Sequence, residues 1–314
     1  MVFYLVNRLV LAVPVLLVAS MSIFAMMYII PGDPAMVIVG PDADPSQLAA
    51  VKKEMGLDRP VPVQYLIWLG RVLRGNLGKS FINGFPVAEL IMRKVPATFL
   101  LTVGAFVVAI AISLPLGIYS ALHPESRLGR LATGFNSLAL SVPTFWLGIL
   151  LVLLIGLHWR LLPASGYAPF FSQPMKSIKF LILPSITLGL SISAILARFL
   201  QASLMEVLHL DYVRTARAKG LREKVVISRH ALKNALITVI TVLGMQVGTF
   251  MGGAVVTESI FDWPGVGKLM LYAIQSRDYY VIQATFLFVV TTFIIINLVT
   301  DLTYAFLDPR IRYR

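Results

Sequence analysis

The chain has 314 residues, of which 58% are hydrophobic and 13% are charged, and its mean hydropathy is +0.82. This composition excludes an ordinary soluble globule, which carries about 25% charged residues, and it excludes intrinsic disorder, which requires low hydrophobicity. The absence of cysteine excludes a disulfide framework and Cys-ligated metal sites, and the four histidines lie too far apart for a metal-ligand spacing. Cytoplasmic loops and anionic membrane lipid explain the net charge of +12 more simply than nucleic acid does.

Long apolar runs dominate the chain. A spanning helix needs about 20 predominantly apolar residues. The runs that are free of Asp, Glu, Lys and Arg and have about this length are residues 9–30, 95–124, 131–159, 180–197, 234–257 and 279–300. The sequence therefore predicts an all-α membrane protein with six transmembrane helices.

The basic residues predict the orientation of these spans. With the N-terminus inside, the cytoplasmic segments hold 14 Lys and Arg residues, whereas the short outer segments hold 5. The long loop 31–94 is left out of this count, because long loops translocate largely regardless of charge. We therefore expect both termini inside the cell, 31–94 outside, and the loop 199–233 inside.

The segment between the first two spans is predicted to form a small periplasmic cap. Residues 46–56 have the pattern of a short polar helix with Ser46 as its N-cap. Residues 63–74 have an amphipathic pattern, and the side chains expected to be buried are Tyr65, Leu66, Trp68, Leu69 and Val72. We divide the chain accordingly into residues 1–94, the first helix with the cap, and residues 95–314, a five-helix transmembrane domain.

The chain contains no phosphate-binding loop motif, so if it takes part in ATP-driven transport, a separate subunit must hydrolyse the ATP. The two Gly-Lys pairs, at 78–79 and 267–268, lack the first glycine of a phosphate-binding loop, since Leu73 and Asp262 occupy its place. The alternative to ATP-driven transport is an ion-coupled carrier or channel. A protein of that kind is expected to bury acidic or histidine side chains deep in its helix bundle. The charged residues at the predicted spans are Arg198 at the inner end of the fourth and Asp301 toward the inner end of the sixth, neither of them near a midplane, and no grouping of His, Asp and Glu supports a membrane enzyme. No cofactor is predicted.

The sequence of the longest predicted cytoplasmic loop, 199–233, has the pattern of a helix, a turn at a glycine and a second helix. Met205, Leu208, Tyr212 and Ala216 follow one apolar helix stripe. The basic residues around it are Arg214, Arg217, Lys219, Arg222 and Lys224. Gly220 is expected to have positive φ between the two helices, with the second helix over 222–233. This pattern alone fits a basic loop lying on the membrane as well as a knob that docks a partner.

The run from Asp211 to Leu221, with His230-Ala-Leu-Lys-Asn-Ala235, resembles the coupling loop of permease subunits of bacterial ATP-binding-cassette importers. That loop carries the motif Glu-Ala-Ala-x-x-x-Gly. Arg214-Thr215-Ala216 stands in the leading places here, Gly220 stands in the glycine place, and Lys233 replaces the usual proline after Leu232. The resemblance implies that partner ATPases are contacted by Asp211, Tyr212, Arg214, Thr215, Ala216, Arg217, Lys219, Gly220 and Leu232.

Further motifs extend this resemblance over the whole chain. They are Pro31-Gly-Asp-Pro34, Leu57-Asp58, Gly75-Asn-Leu-Gly-Lys-Ser80, Leu183-Pro-Ser-Ile-Thr-Leu-Gly189, Phe261-Asp-Trp-Pro-Gly-Val-Gly267, Arg277-Asp-Tyr-Tyr280 and Asp308-Pro-Arg-Ile-Arg-Tyr313. They are similar to the dipeptide, oligopeptide and nickel branch of type I importer permeases, and the resemblance leaves open dipeptide, oligopeptide, glutathione or nickel as cargo. It implies an inner-membrane location, a second homologous permease, two ATPase subunits and a substrate-binding protein.

Other features admit two interpretations each. Trp263 fits either the aromatic belt at the membrane surface or a rim that receives the binding protein. The glycines at 244, 248 and 252 fit helix packing better than a sliding contact between permeases. Seven polar residues of the spans fit hydrogen bonds between helices better than a substrate path, namely Asn136, Ser137, Ser141, Thr144, Ser191, Ser193 and Gln246.

Overall fold

A computed structural model describes residues 2–29, 34–40 and 44–307. Within these residues the chain is helical, with turns and one isolated β-bridge between Lys79 and Pro86. The α-helices are α1 (Val2–Ile29), α2 (Pro34–Val39), α3 (Pro45–Met55), α4 (Val61–Leu73), α5 (Val87–Leu122), α6 (Arg127–Ser141), α7 (Thr144–Leu151), α8 (Pro174–Leu208), α9 (Asp211–Ala218), α10 (Glu223–Val225), α11 (Leu232–Ile260), α12 (Val266–Gln275) and α13 (Tyr279–Leu307). Two π-helical stretches, Val152–His158 and Val226–Ala231, continue α7 and α10.

Five helical segments of the described chain are long and apolar enough to cross a membrane, and the number is six if one bent pair of helices is counted as a single span. The bent pair is α6 with α7 and its π-helical extension, which meet at an angle of 99°. The expectation of one continuous helix over 131–159 is therefore wrong. Pro143 explains the break, because a proline pushes the preceding residue out of the helical region, and Val142 has the extended angles φ −83° and ψ 121°.

In the cap between α1 and α5, two details differ from the prediction. Asp44, not Ser46, is the N-cap of α3, since its carboxylate accepts a hydrogen bond from the Ser46 backbone N–H at 3.1 Å. In α4, Trp68 is buried as expected, but Leu66 is exposed and Gln64 is buried. The Gln64 side chain donates to the carbonyls of Leu57 and Arg59 and accepts from the Tyr28 hydroxyl, so its burial leaves no polar group unpaired.

The chain packs as two compact units. One, called the bundle unit here, comprises Ala97–Pro264 and the chain from Ile296 onward. The other, called the N-terminal unit, comprises Val2–Pro96 and Gly265–Ile295. The core of the bundle unit is built on α8, which is buried along its length and packs against α6, α7 and α11. The core of the N-terminal unit joins the start of α5 to α12 and the start of α13.

Candidate functional site

The predicted partner-binding residues lie in one short region of the bundle unit. We call it the α9 segment, residues 209–234. Two breaks delimit α9, because α8 ends at Leu208 and the chain turns again at Lys219 and Gly220. An isolated helix of eight residues is marginal in water, so tertiary contacts have to hold it.

Two buried side chains seat α9 on the bundle unit. Val213 is fully buried and Ala216 is nearly so, and both belong to the same apolar core as Val207, Val226 and Ala235. Burying a valine contributes about 1.5–3 kcal/mol, so Val213 is the main apolar anchor of this short helix. The predicted stripe through Met205, Leu208, Tyr212 and Ala216 is wrong in its register, because the chain breaks between 208 and 211 and Tyr212 is exposed.

Tyr212 instead connects α9 to the start of α11 through polar contacts. Its hydroxyl donates to the His230 carbonyl at 3.3 Å and accepts from the Asn234 side-chain amide at 2.6 Å. The Asn234 amide also donates to the His230 carbonyl at 3.4 Å. These three groups fix the N-terminal half of α9, and the sequence pattern gave no sign of them.

Arg217 fixes the other half of α9. Its guanidinium donates to both Glu223 carboxylate oxygens, at 2.7 and 3.2 Å, and to the Leu208 carbonyl at the end of α8, at 3.5 Å. The hydrogen bond with Glu223, with a smaller contribution from its charge, raises the pKa of Arg217 above its ordinary value. Arg217 thus connects α8, α9 and α10 within this chain.

Gly220 forms the elbow with positive φ, as predicted, at φ +74°. A Cβ built there meets no atom within 4 Å, so only the backbone conformation requires glycine. The second helix begins close to the predicted position, at Glu223, but it is not a separate short helix. It continues through the π-helical stretch directly into α11.

The remaining predicted residues divide into exposed and packed ones. Leu232 is partly buried against the bundle core. Asp211, Arg214, Thr215 and Lys219 are exposed. Arg214 lies 3.6 Å from Asp211 with both side chains mostly in solvent, and such a pair contributes at most about 1 kcal/mol. The exposed side of α9 therefore carries charged groups that lie largely in solvent.

A second motif of the sequence, around Trp263, is buried rather than exposed. Trp263 has no exposed surface, its indole N–H donates to the Ala97 carbonyl at 2.8 Å, and its ring meets that of Tyr167 edge to face. Both interpretations of Trp263, a membrane belt and a receiving rim, are therefore wrong. Glu258 is fully buried one position beyond the predicted fifth span, and its carboxylate accepts from the Thr98 hydroxyl at 2.8 Å.

Two further motifs come together in the N-terminal unit. The Ser80 hydroxyl donates to the Asp278 carboxylate at 2.5 Å, and the rings of Phe81 and Tyr280 lie 4.7 Å apart. The Gly78-Lys79-Ser80 run therefore forms a packed turn, not a phosphate-binding loop.

The polar residues of the spans are mostly satisfied within their own helices. Ser137, Ser141 and Ser193 donate to carbonyls three or four residues earlier, so the expected bonds between helices are wrong for these three. Asn136 is buried and makes no hydrogen bond in the described part of the chain.

Gly244 packs so closely on Thr300 that a Cβ would overlap it, which supports the packing interpretation for this glycine. The other two glycines, at 248 and 252, lie outside the residues whose side-chain surroundings are described.

The motifs at 31–34 and 308–313 fall wholly or largely outside the described residues. Among the described residues, no group of three or more His, Asp or Glu side chains is arranged to hold a metal ion.

Comparison with known proteins identifies the family. The model of the binding-protein-dependent transport system inner membrane component matches residues 113–313, and the model of its N-terminal region matches residues 1–102. The chain is 39% identical to the glutathione transport system permease protein GsiC of Pectobacterium atrosepticum, over the full length of both. It is 40% identical to a putative peptide transport system permease of Brucella abortus, over 98% of both chains. It is also 40% identical to the dipeptide transport system permease DppB of Alkalihalophilus pseudofirmus, over the full length of both.

A solved structure supports the fold. The MetNI methionine transporter in inward-facing conformations matches with a TM-score of 0.57 at 16% identity, over 71% of this chain and 98% of the other. This likeness shows the architecture of a type I importer permease and nothing about cargo. By sequence, the chain belongs to the family of inner membrane components of binding-protein-dependent transport systems, and it is a multi-pass permease subunit of an ATP-binding-cassette importer.

Proposed function

We propose that this permease carries dipeptides or oligopeptides, and that α9 transmits the work of separate ATPase subunits to it. The cargo proposal is supported by full-length relatives named for peptide, dipeptide and glutathione transport. Glutathione is itself a small peptide, so these names share one chemical class. The alternative of an ion-coupled carrier or channel has no support from the family.

The coupling proposal depends on one observation, the two-sided character of α9. Val213 and Ala216 are buried on one side, while Asp211, Arg214 and Thr215 are exposed on the other. A helix seated in this way follows any force applied to its exposed side, because its buried side moves with the core that includes α8 and α11.

The nine predicted residues then take two different roles. Asp211, Arg214, Thr215 and Lys219 form the contact surface for an ATPase groove. Tyr212, Ala216, Arg217, Gly220 and Leu232 position that surface, because their side chains or backbone are engaged within this chain. We infer that Arg217 in particular acts through Glu223 and not through direct contact with the ATPase.

The proposed mechanism also requires partner proteins. A second homologous permease completes the translocation path, two ATPase subunits hydrolyse ATP, and a substrate-binding protein delivers the peptide. The proposed mechanism requires that the α9 segment lies inside the cell and that α3 lies outside. Single cysteines at Ser46 and Ser228, both exposed, test this in the cysteine-free chain. Labelling of the Ser228 position by an impermeant reagent in intact spheroplasts contradicts the orientation.

Cross-linking tests the coupling surface directly. A cysteine in place of exposed Thr215, paired with cysteines along the ATPase groove, is expected to cross-link to the ATPase with a yield that changes on ATP binding. A cysteine in place of exposed Ser172, in a connection expected on the opposite side of the membrane, is the matched control. Equal cross-linking at the two positions, or none at Thr215 in an assembled complex, contradicts the proposal.

Transport in proteoliposomes tests the cargo. The complete complex with its binding protein is expected to accumulate a labelled dipeptide or glutathione in the presence of ATP. Nickel ion and free methionine are the comparison cargoes. Uptake of either comparison cargo without uptake of any peptide contradicts the peptide assignment and leaves the coupling role standing.

A further inference from the structure

The N-terminal unit contains a narrow notch lined by donor groups that have no acceptor. Arg71 of α4 and Gln283 of α13 contribute nitrogens, and Trp68 and Tyr280 line the same space. The Arg71 Nε and the Gln283 Nε2 are buried, and neither donates to any group in the described part of the chain. Gln283 is only 4% exposed, so its amide is enclosed by the protein.

The chemistry of the notch calls for an oxyanion. Both orphan groups donate, and the half-buried Arg71 forms no ion pair with any described residue. The Nε of this guanidinium is buried without a hydrogen-bond partner, and a guanidinium pairs best with a carboxylate or a phosphate. The notch has a volume of about 10 Å³, so it admits a single oxygen atom, while the rest of the anion lies at its mouth.

An apolar groove opens beside the notch. It has a volume of about 330 Å³ and shares Trp68 and Val72 with the notch. Its walls come from α1, α4 and α13, and they include Leu16, Leu17, Leu69, Leu73 and Leu287.

The helices show that the groove leads away from the notch in one direction. On α13, Gln283 of the notch is followed by Leu287 and Thr291 of the groove at intervals of four residues, about 12 Å along the helix. On α1, Met27 lies at the polar end with Arg71 and Gln283, whereas Val13 lies in the groove about 20 Å away. The hydrocarbon core of a whole bilayer is about 30 Å thick, so the length of the groove is comparable with the thickness of one leaflet.

We propose that this notch and groove form a binding site for one phospholipid. The phosphate places an oxygen against Arg71 Nε and Gln283 Nε2, and an acyl chain lies in the groove along α1 and α13. Trp68 stands where the two parts meet, which is the depth at which tryptophan is enriched in membrane proteins. Both parts of the site are required, since a free oxyanion leaves the groove unused and a neutral lipid leaves the donors unpaired.

The site assigns a role to α4 and α13 that is independent of cargo and of ATPase coupling. A lipid held between them anchors the cap to α1 and α13, inside the N-terminal unit. The peptide C-terminus also carries an oxyanion, so a peptide is the competing occupant, and the test below separates the two.

Native mass spectrometry of the full-length chain, delipidated in mild detergent with its associated subunits, tests the site. Dioleoylphosphatidylglycerol is titrated as the probe. Arg71→Gln is expected to weaken binding by about tenfold or more, because hydrogen bonds to charged groups are among the strongest. Arg74→Gln is the matched control, since Arg74 is exposed three residues further along the same chain and is expected to leave binding unchanged.

A second variant and two fragment probes complete the test. Leu287→Trp fills the groove without touching the notch and is also expected to weaken binding of the phospholipid. Inorganic phosphate alone and dioleoylglycerol alone are each expected to bind at least about tenfold more weakly than the whole lipid. Equal lipid binding by wild type, Arg71→Gln and Leu287→Trp overturns the proposal. Phosphate binding as tight as lipid binding, or displacement of the lipid by a dipeptide, overturns it as well.

Discussion

The α9 segment and the Trp263 loop (residues 261–264) are both connections of the bundle unit that match family motifs, and they differ in what they present to the surroundings. In α9, the side chains of Arg214 and Thr215 project into solvent. In the Trp263 loop, the largest side chain is fully buried and bonded to the Ala97 carbonyl. A motif match by itself therefore leaves open whether a residue contacts a partner or holds the chain together, and the packing of its side chain distinguishes the two.

The same difference explains which residues in α9 are sensitive to change. Its contact surface is expected to tolerate shape changes and to respond to charge. Its anchors, and all of the Trp263 loop, are expected to respond to lost volume and lost hydrogen bonds.

Trp263→Ala is expected to give the largest loss of stability. It removes a fully buried indole together with its bond to Ala97, a change that costs about 3–5 kcal/mol. Thermal unfolding followed by size-exclusion chromatography measures the loss. Trp159→Ala is the control, since Trp159 is 57% exposed. Equal melting temperatures for the two variants contradict a structural role for Trp263.

Glu258 tests the buried end of α11, next to the Trp263 loop. Glu258→Leu removes the carboxylate that accepts from the Thr98 hydroxyl, and a hydrogen bond to a charged group contributes about 1.5–3 kcal/mol. Glu258→Gln keeps an acceptor oxygen and is expected to melt close to wild type. If Gln destabilises as much as Leu, the negative charge, and not this hydrogen bond, is what α11 requires.

The Arg217–Glu223 pair is expected to give the smallest effect on stability. Both side chains are partly exposed, at 40% and 54%, so their coupling energy is expected to be below about 1 kcal/mol. A double-mutant cycle of Arg217→Gln and Glu223→Gln, measured by thermal unfolding of the complex, gives this value. Uptake is expected to fall in both single variants, because each loses the Arg217–Glu223 pair, and to fall somewhat further in Arg217→Gln, which also loses the bond to the Leu208 carbonyl. A loss confined to Arg217→Gln indicates instead that Arg217 contacts the ATPase.

Much of the fold was predictable, because the hydropathy of a chain reflects the membrane directly. Five of the six predicted spans correspond to long helices, and Pro143 accounts for the bend in the remaining one. Gly220 was predictable as well, since a glycine between two helix patterns commonly marks positive φ.

The site was predictable in position but not in its contacts. The motif located α9, yet it gave no indication that Val213 is the anchor or that Glu223 and Asn234 hold Arg217 and Tyr212. These contacts join residues up to 22 positions apart across helix breaks, and periodicity within one helix cannot reveal them. The prediction for Trp263 was wrong for the same reason, because its hydrogen-bond partner Ala97 is 166 positions away in the sequence.

Substitution at Gly220 measures the central claim, that α9 transmits work from the ATPases. Gly220→Val and Gly220→Asn both leave the charge of the α9 segment unchanged, and a Cβ finds open space in each. Asparagine tolerates the observed φ of +74°, whereas a β-branched residue is strained there. At equal membrane abundance, we predict that Gly220→Asn retains peptide uptake, while Gly220→Val loses uptake and the stimulation of ATPase activity by loaded binding protein. Wild-type uptake in Gly220→Val contradicts the coupling role of α9.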